Sequence, residues 1–229
     1  LEVKMGNIGC KIIRDFKRPS QELINGFKDI PVANIDDCMS RTAAVDQSIK
    51  PYNKANVLGP AFTIKVPEGD NLMFHAAMDL AQPGDVIVID AGGSMSRSIF
   101  GELMISYCQK RKLGGVIVDG CIRDVDTLSQ IDFPVYAKGV TPNGPYKNGP
   151  GEINAPVVIG GRAVCPGDII VGDRDGIVVI KPEEAEELLA KAKEIVDKEK
   201  KITETIEKEG TYIRPWVNEK LKEINCEII

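Results

Sequence analysis

Between residues 57 and 140 the chain alternates short apolar runs with stretches in which apolar residues recur at helical spacing. Val57 to Val66 reads as a strand interrupted at Gly59-Pro60, and Val86-Ile87-Val88-Ile89-Asp90 as a second strand. Between them, Asn71 to Leu80 reads as a helix opened by Gly69-Asp70, with Asp70 as its cap. A Gly/Ser turn is expected at Gly92-Gly93-Ser94, then a helix from about Ser98 to Lys112. That helix has apolar Leu103, Ile105 and Cys108 along its length and Lys110, Arg111 and Lys112 at its exit, where cations suit the helix dipole. Gly114-Gly115 leads into Val116-Ile117-Val118, the continuous apolar run of a buried parallel strand.

From Ala155 the pattern changes. The stretch APVVIGGRAVCPGDIIVGDRDGIVVIKP joins short strands by tight turns, Asp175-Gly176 the clearest, and predicts antiparallel hairpins. Pro83-Gly84-Asp85-Val86 and Pro166-Gly167-Asp168-Ile169 each launch an apolar run, and Pro-Gly suits the centre of a type II turn. Past Pro182, a stripe of Ala185, Leu188, Leu189, Ala192, Ile195 and Val196 predicts one long helix from Glu183 to about Lys208. Gly210 ends it, and Pro215-Trp216 opens a short terminal helix in which Trp216 is expected to anchor packing.

Upstream, residues 1 to 19 read as an ordered or swapped arm, Ser20 caps a helix through Phe27, and a second helix covers about Ile35 to Arg41. The Gly- and Pro-rich segment from Gly139 to Gly151 is too long for an ordinary connection and is expected to form an active-site or subunit-contact loop. The expected organisation is an arm and helix over 1–31, an α/β domain over 32–181 and a helical extension over 182–229. Loss of regular alternation after residue 155 argues against a (β/α)8 barrel.

Composition narrows the function classes. With 43% apolar and 28% charged residues, 229 residues bury a normal core. A net charge of −5 and only 5% aromatics argue against a nucleic-acid partner, which needs clustered cations or stacking rings. The six cysteines form no CxxC pair, so they read as small buried residues in a reducing compartment rather than a zinc or redox motif. No stretch has the length of a membrane span or the apolar core of a signal peptide, so a cytoplasmic protein with no membrane partner is expected.

The candidate chemistry lies at the carboxyl end of the Val116–Val118 run, where the chain reads Asp119-Gly120-Cys121-Ile122-Arg123-Asp124. Open α/β sheets bind ligands at such ends. Glu102 precedes Arg123 by a spacer of twenty residues, and Asp124 follows at once. Two carboxylates and a guanidinium around one crest can hold a divalent cation and an α-keto acid together. Backbone N–H groups of Gly101, Glu102, Leu103 and Met104 can face an anion bound near Arg123. Taken singly, each has a plainer reading: Asp124 a helix cap, Glu102 a dipole partner, Arg123 a surface ion pair. His75, the single histidine, reads as a packed or hydrogen-bonded residue before it reads as a general base. Lys65 and Lys138 carry no mark of a Schiff-base lysine, and Gly92-Gly93-Ser94 fits neither the dinucleotide nor the P-loop pattern.

The Glu102-x20-Arg123-Asp124 pattern within FGEL...GGVIVDGCIRDVD resembles the RraA-like family, which includes class II 4-hydroxy-4-methyl-2-oxoglutarate / 4-carboxy-4-hydroxy-2-oxoadipate aldolases and regulators of ribonuclease E. GDNLMFHAAMDLAQPGDVIVIDAGG, KGVTPNGP and PGDIIVGDRDGIVVIKP extend the likeness over roughly residues 32 to 208. The resemblance implies a single layered β/β/α domain of the swivelling kind with a long C-terminal helix. It implies retro-aldol cleavage of a 4-hydroxy-2-oxo acid to pyruvate, with oxaloacetate decarboxylation alongside and Mg²⁺ or Mn²⁺ as cofactor.

In the enzymes resembled, the Arg binds substrate, the next Asp ligates metal, and the earlier acid holds metal-bound water, roles that fall here on Arg123, Asp124 and Glu102. Leu103 and Met104 N–H groups receive the substrate carboxylate. A further acid comes from a neighbouring subunit's C-terminal helix, for which Glu199 is the candidate, in a homotrimer or dimer of trimers. Position 127, often acidic in the family, is Thr here. The rival expectation is a non-catalytic regulator that binds a ribonuclease or helicase. Such regulators can lack the acid equivalent to Glu102, so its presence favours catalysis.

Overall fold

The computed structural model describes residues 8–227, so the first seven residues of the expected arm and the last two of the chain lie outside the described residues. In chain order the elements are β1 (Cys10–Ile12), α1 (Gln21–Asn25), α2 (Val32–Cys38), β2 (Lys50–Pro51), β3 (Val57–Lys65), α3 (Leu72–Leu80), β4 (Val86–Phe100), α4 (Glu102–Lys110) and β5 (Gly115–Ile122). Then follow α5 (Val125–Leu128), β6 (Val135–Val140), β7 (Gly151–Ile153), β8 (Val157–Ile159), β9 (Arg162–Val164), β10 (Ile169–Gly172), β11 (Ile177–Ile180), α6 (Ala185–Glu209) and α7 (Pro215–Glu223).

The central sheet runs β1-β7-β3-β4-β5-β6-β2, with β3, β4, β5 and β6 mutually parallel. Alternation along these strands divides the core into two layers. Phe62, Ile64, Ile87, Ile89, Val116 and Val118 face one side, where Phe74 of α3 and Ile105 and Cys108 of α4 cover them. Ala61, Val86, Val88, Ile117 and Tyr136 face the other side, against Val157, Ile159 and Val164 of the β8–β9 hairpin and Ile170, Ile177 and Val179 of β10–β11. Helices thus cover one face and strands the other, which is the β/β/α layering expected. Each fully buried Ile or Phe contributes about 1.5–3 kcal/mol relative to exposure.

The two Pro-Gly-Asp turns have the same construction. Gly84 and Gly167 take φ +88° and +90°, as the third position of a type II turn requires. In each the Asp side chain accepts a backbone N–H from three residues earlier, Gln82 to Asp85 at 2.8 Å and Cys165 to Asp168 at 2.7 Å. Each buried carboxylate also meets a cation: Arg18 on Asp85 through two bonds of 2.8 and 2.7 Å, and Lys181 on Asp168 at 2.6 Å.

Several expectations are corrected. β3 is continuous through Gly59-Pro60, because both residues lie in register with Ile170 and Ile169 of β10. Gly59 is needed there, since a Cβ would stand 2.2 Å from the Gly84 carbonyl oxygen. The Gly/Ser turn after Asp90 is instead a bulged continuation of β4, which keeps pairing with β5 through Ser94, Ser98 and Phe100 with register shifts between them. The helix expected from Ser98 therefore starts at Glu102. Ser20 does cap α1, accepting from the Leu23 N–H at 3.2 Å.

Residues up to Ala192 form one compact unit and Lys193 onward a second, with α6 belonging to both. In the first unit α6 buries Ala185, Leu188 and Ala192. In the second, Ile206, Tyr212, Ile213, Trp216 and Ile224 are exposed, so Trp216 does not anchor packing there. All six cysteines are free, with Cys108 and Cys121 buried. No helix among the described residues is long and apolar enough to cross a membrane.

Candidate active site

β4 and β5 end side by side, with Phe100 in register with Ile122, so the residues that follow each strand are neighbours. Arg123 donates its N–H to the Phe100 carbonyl at 3.0 Å, which fixes the crest beside the start of α4. Asp124 takes the left-handed conformation, φ 59° and ψ 35°, which Asp tolerates better than most residues. Its side chain does not cap α5. Asp124 Oδ2 instead reaches back to accept the Glu102 N–H at 3.0 Å, with Arg123 Nε 3.6 Å from the same oxygen.

Gly101 makes this arrangement possible. A Cβ there would stand 2.0 Å from Asp124 Oδ2 and 2.9 Å from Arg123 Cγ. The glycine is required by the close approach of the carboxylate, since its φ of −147° is open to any residue.

Around this crest lies a cavity of about 440 Å³, lined by Gly101, Glu102, Leu103, Met104, Arg123 and Asp124 together with Asn71, His75, Gly144, Pro145 and Lys147. Three residues expected to act together thus share one pocket, and the helix-start residues expected to bind substrate share it too. First-turn N–H groups such as those of Leu103 and Met104 have no intrahelical acceptor, so the α4 start presents donors to an anion. Glu199 lies on α6 in the second unit and is not among the lining residues. Among the described residues no three His, Cys, Asp or Glu side chains converge as metal ligands. A larger cavity of about 750 Å³ opens near Asn25, Lys28, Asn56 and Asp173. There the Asp173 carboxylate is occupied by the N–H groups of Val32 and Asp175, at 3.0 and 2.8 Å.

Of the lining residues, Asn71 and Lys147 were not singled out by sequence, whereas the 139–151 segment was expected as an active-site or subunit-contact loop. The 139–151 loop is held down along its length and forms one wall. Ser98 donates both N–H and hydroxyl to the Asn143 carbonyl at 2.8 Å, and Arg97 donates to the Gly144 carbonyl at 2.7 Å and to the Tyr146 hydroxyl at 2.8 Å. Asp70, only 3% exposed, accepts from Leu72 at 2.9 Å, Asn148 at 2.6 Å and Gly149 at 3.0 Å. The cap expected at Asp70 is corrected to Asn71, which makes no side-chain cap bond; Asp70, one residue earlier, accepts the Leu72 N–H and ties the loop to α3. Asn71 donates to the Ile99 carbonyl at 2.9 Å, and its Oδ1 is buried with no partner among the described residues. His75 is half-buried in the pocket wall, and its pKa is lowered, first by burial and then by the charge of Lys147, which favours the neutral imidazole. Lys147 itself is exposed and makes no ion pair among the described residues.

A layered β/β/α domain with an Arg-Asp crest against a helix start defines the class. The RraA-like family, described as Aldolase/RraA, matches residues 32–179, and the chain belongs to it. A protein of Halalkalibacterium halodurans provisionally named 4-hydroxy-4-methyl-2-oxoglutarate aldolase is 41% identical over 173 residues, 75% of this chain and 82% of that protein. An uncharacterized Pseudomonas syringae protein of known structure superposes with a TM-score of 0.77 at 22% identity, covering 86% of this chain and 98% of its own, which speaks to the fold alone. A Streptomyces coelicolor protein described as an unusual member of the RNase ES inhibitor RraA family superposes with a TM-score of 0.72 at 26% identity, over 81% and 98% of the two chains.

Proposed function

We propose that this pocket is the active site of a divalent-metal-dependent aldolase that cleaves a 4-hydroxy-2-oxo acid to pyruvate and a second carbonyl compound. The observation that carries the proposal is the pairing of the Asp124 carboxylate with the α4 start and with Arg123 inside the same cavity as Glu102. The name of the H. halodurans relative supports the same substrate class.

The donor set fits a hard cation. Asp124 and Glu102 offer carboxylate oxygens, and Mg²⁺ or Mn²⁺ takes one or two such ligands while keeping waters and room for substrate. When bound, the ion supplies Lewis acidity toward the 2-oxo acid. The chain's own groups do the rest. The Arg123 guanidinium stays charged and grips the substrate's keto-acid end with the fork geometry that Lys lacks. The Leu103 and Met104 N–H groups receive the adjacent carboxylate.

Cleavage takes the proton from the C4 hydroxyl and breaks C3–C4. C4 becomes a carbonyl, and the bonding pair passes into the enolate of pyruvate, which is then protonated at C3. Glu102, which lines the same pocket, would hold a water through which that proton moves. Oxaloacetate decarboxylation passes through the same enolate and should accompany cleavage.

The test is pyruvate release from 4-hydroxy-2-oxo acids and from oxaloacetate, with and without chelator and metal rescue. Turnover that survives EDTA, or that survives Arg123→Ala within a few-fold, counts against the proposal. The competing reading is a regulator that binds a ribonuclease, as the S. coelicolor protein's description suggests for that protein. A chain with no turnover on any of these acids that still inhibits a ribonuclease would support the competitor.

A further inference from the structure

Resting on that reading of the site, we propose that Asn71 is a positioning residue, its Oδ1 the second acceptor that fixes the relay water held by Glu102. Asn71 is 2% exposed, and its Oδ1 is one of three buried side-chain atoms left without a hydrogen-bond partner among the described residues. Of the three it is the one in this pocket's wall. Buried acceptors are ordinarily paired, because an unmade bond costs the desolvation of the group. The plain use of this oxygen is missing as well. Asn71 stands at the N-cap of α3, where an Asn side chain usually accepts from the first turn, yet it makes no cap bond and leaves the Leu72 N–H to Asp70.

The amide is held so that only its oxygen is left over. Nδ2 donates to the Ile99 carbonyl at 2.9 Å and lies 3.6 Å from Met104 Sδ. Turning the amide over would set two oxygens against each other. Ile99 and Met104 bracket the turn that carries Glu102, so the acceptor and that carboxylate share one part of the wall. An acceptor there selects for a hydrogen donor. The substrate's carboxylate and keto oxygens have no hydrogen to give, and the C4 hydroxyl must surrender its own. Water remains. A water that gives one hydrogen to Glu102 and the other to Asn71 Oδ1 keeps its lone pairs toward the C4 hydroxyl, the orientation a proton acceptor needs. It takes the C4 proton as one of its own hydrogens passes to Glu102, and the reverse transfer at C3 restores both groups. Met104, a flexible thioether in the same wall, is the neighbour that gives way to admit it.

The experiment separates the proton step from bond cleavage. In Mg²⁺ buffer made up in heavy water, NMR follows loss of the pyruvate methyl proton signal, which reports proton transfer at C3 alone, and titration calorimetry gives the affinity for pyruvate. Asn71→Leu, close in volume but without the acceptor, should slow exchange about 10- to 100-fold, as misplacing a proton-transfer group does. Its pyruvate affinity should stay within about 3-fold of wild type, because Asn71 does not touch the keto-acid end. A further readout needs no turnover: a high-resolution crystal structure of the wild-type chain should show a water within about 3.2 Å of both Asn71 Oδ1 and a Glu102 carboxylate oxygen.

Exchange that survives Asn71→Leu within about 3-fold, exchange and affinity lost together in a folded variant, or an Oδ1 bonded to a protein group in place of water overturns the proposal. Should Asn71→Leu fail to fold, the crystal structure decides alone. If the wild-type chain neither exchanges pyruvate protons nor cleaves any 4-hydroxy-2-oxo acid, the aldolase reading fails, and the bridging water by itself decides whether the placement stands. If exchange occurs and ignores Asn71, the aldolase reading stands and this inference fails.

Discussion

Asp124 carries two demands at once, a left-handed backbone and a carboxylate turned back toward another helix, and Gly101 is the residue that gives it room. Gly101→Ala should therefore act through the carboxylate and not through the fold. The struck atom is the end of a half-exposed side chain, which can swing away where a backbone atom could not. Pyruvate-release activity is expected to fall about 100-fold, the usual effect of displacing a reacting group by an ångström, while thermal unfolding followed by circular dichroism stays within a few degrees of wild type. A large loss of melting temperature with the activity per folded molecule retained would contradict this account. Glu102, Arg123 and Asp124 were legible in the sequence because their spacing sits inside a long family likeness. Gly101's reason for being glycine was not, since it depends on an atom twenty-three residues away.

At the scale of elements, strand and helix types followed from hydrophobic period, and both hairpins after Ala155 followed from their turn residues. What sequence reading lost was the end of β4. Gly92-Gly93-Ser94 carries every mark of a turn, but the strand continues because Ser98 and Phe100 still find partners on β5 and Ser98 also bonds the Asn143 carbonyl. Local turn propensity yields here to non-local pairing. The same is true of the 139–151 loop, whose anchors at Asp70 and Arg97 are remote in sequence. Asp70→Ala leaves three backbone N–H groups without their acceptor. It should cost about 1–3 kcal/mol in chemical unfolding and raise KM more than it lowers kcat, because it frees a pocket wall without removing a reacting group. An unchanged KM would mean the loop does not hold substrate.

For the whole molecule, the layering was expected from the family resemblance, and its physical reason is that residues on β3 to β6 alternate between two apolar faces, neither polar enough to meet water. The second unit's two helices were legible as well, but the exposure of Trp216 was not. Its stripe thins beyond Lys198, and Trp216 is left exposed together with Ile206, Ile213 and Ile224. Apolar side chains exposed in this number suit burial against another copy. A homotrimer, or a pair of trimers, with Glu199 completing a neighbour's site remains the proposal for the assembly. Analytical ultracentrifugation should find three or six chains, and a fully active monomer would refute it.

The twin turns at Asp85 and Asp168 set the smallest stretch that can stand alone. Their cations, Arg18 and Lys181, come from outside residues 32–179, one from each flank. A fragment cut to that span would keep every pocket residue, yet strand two carboxylates that are 1% and 3% exposed without counter-charge. Orphaning one partner of a buried pair typically costs about 3–5 kcal/mol, much of a small domain's margin. The fragment should therefore express poorly or melt well below the full chain, while one that begins before Arg18 and ends after Lys181 should not.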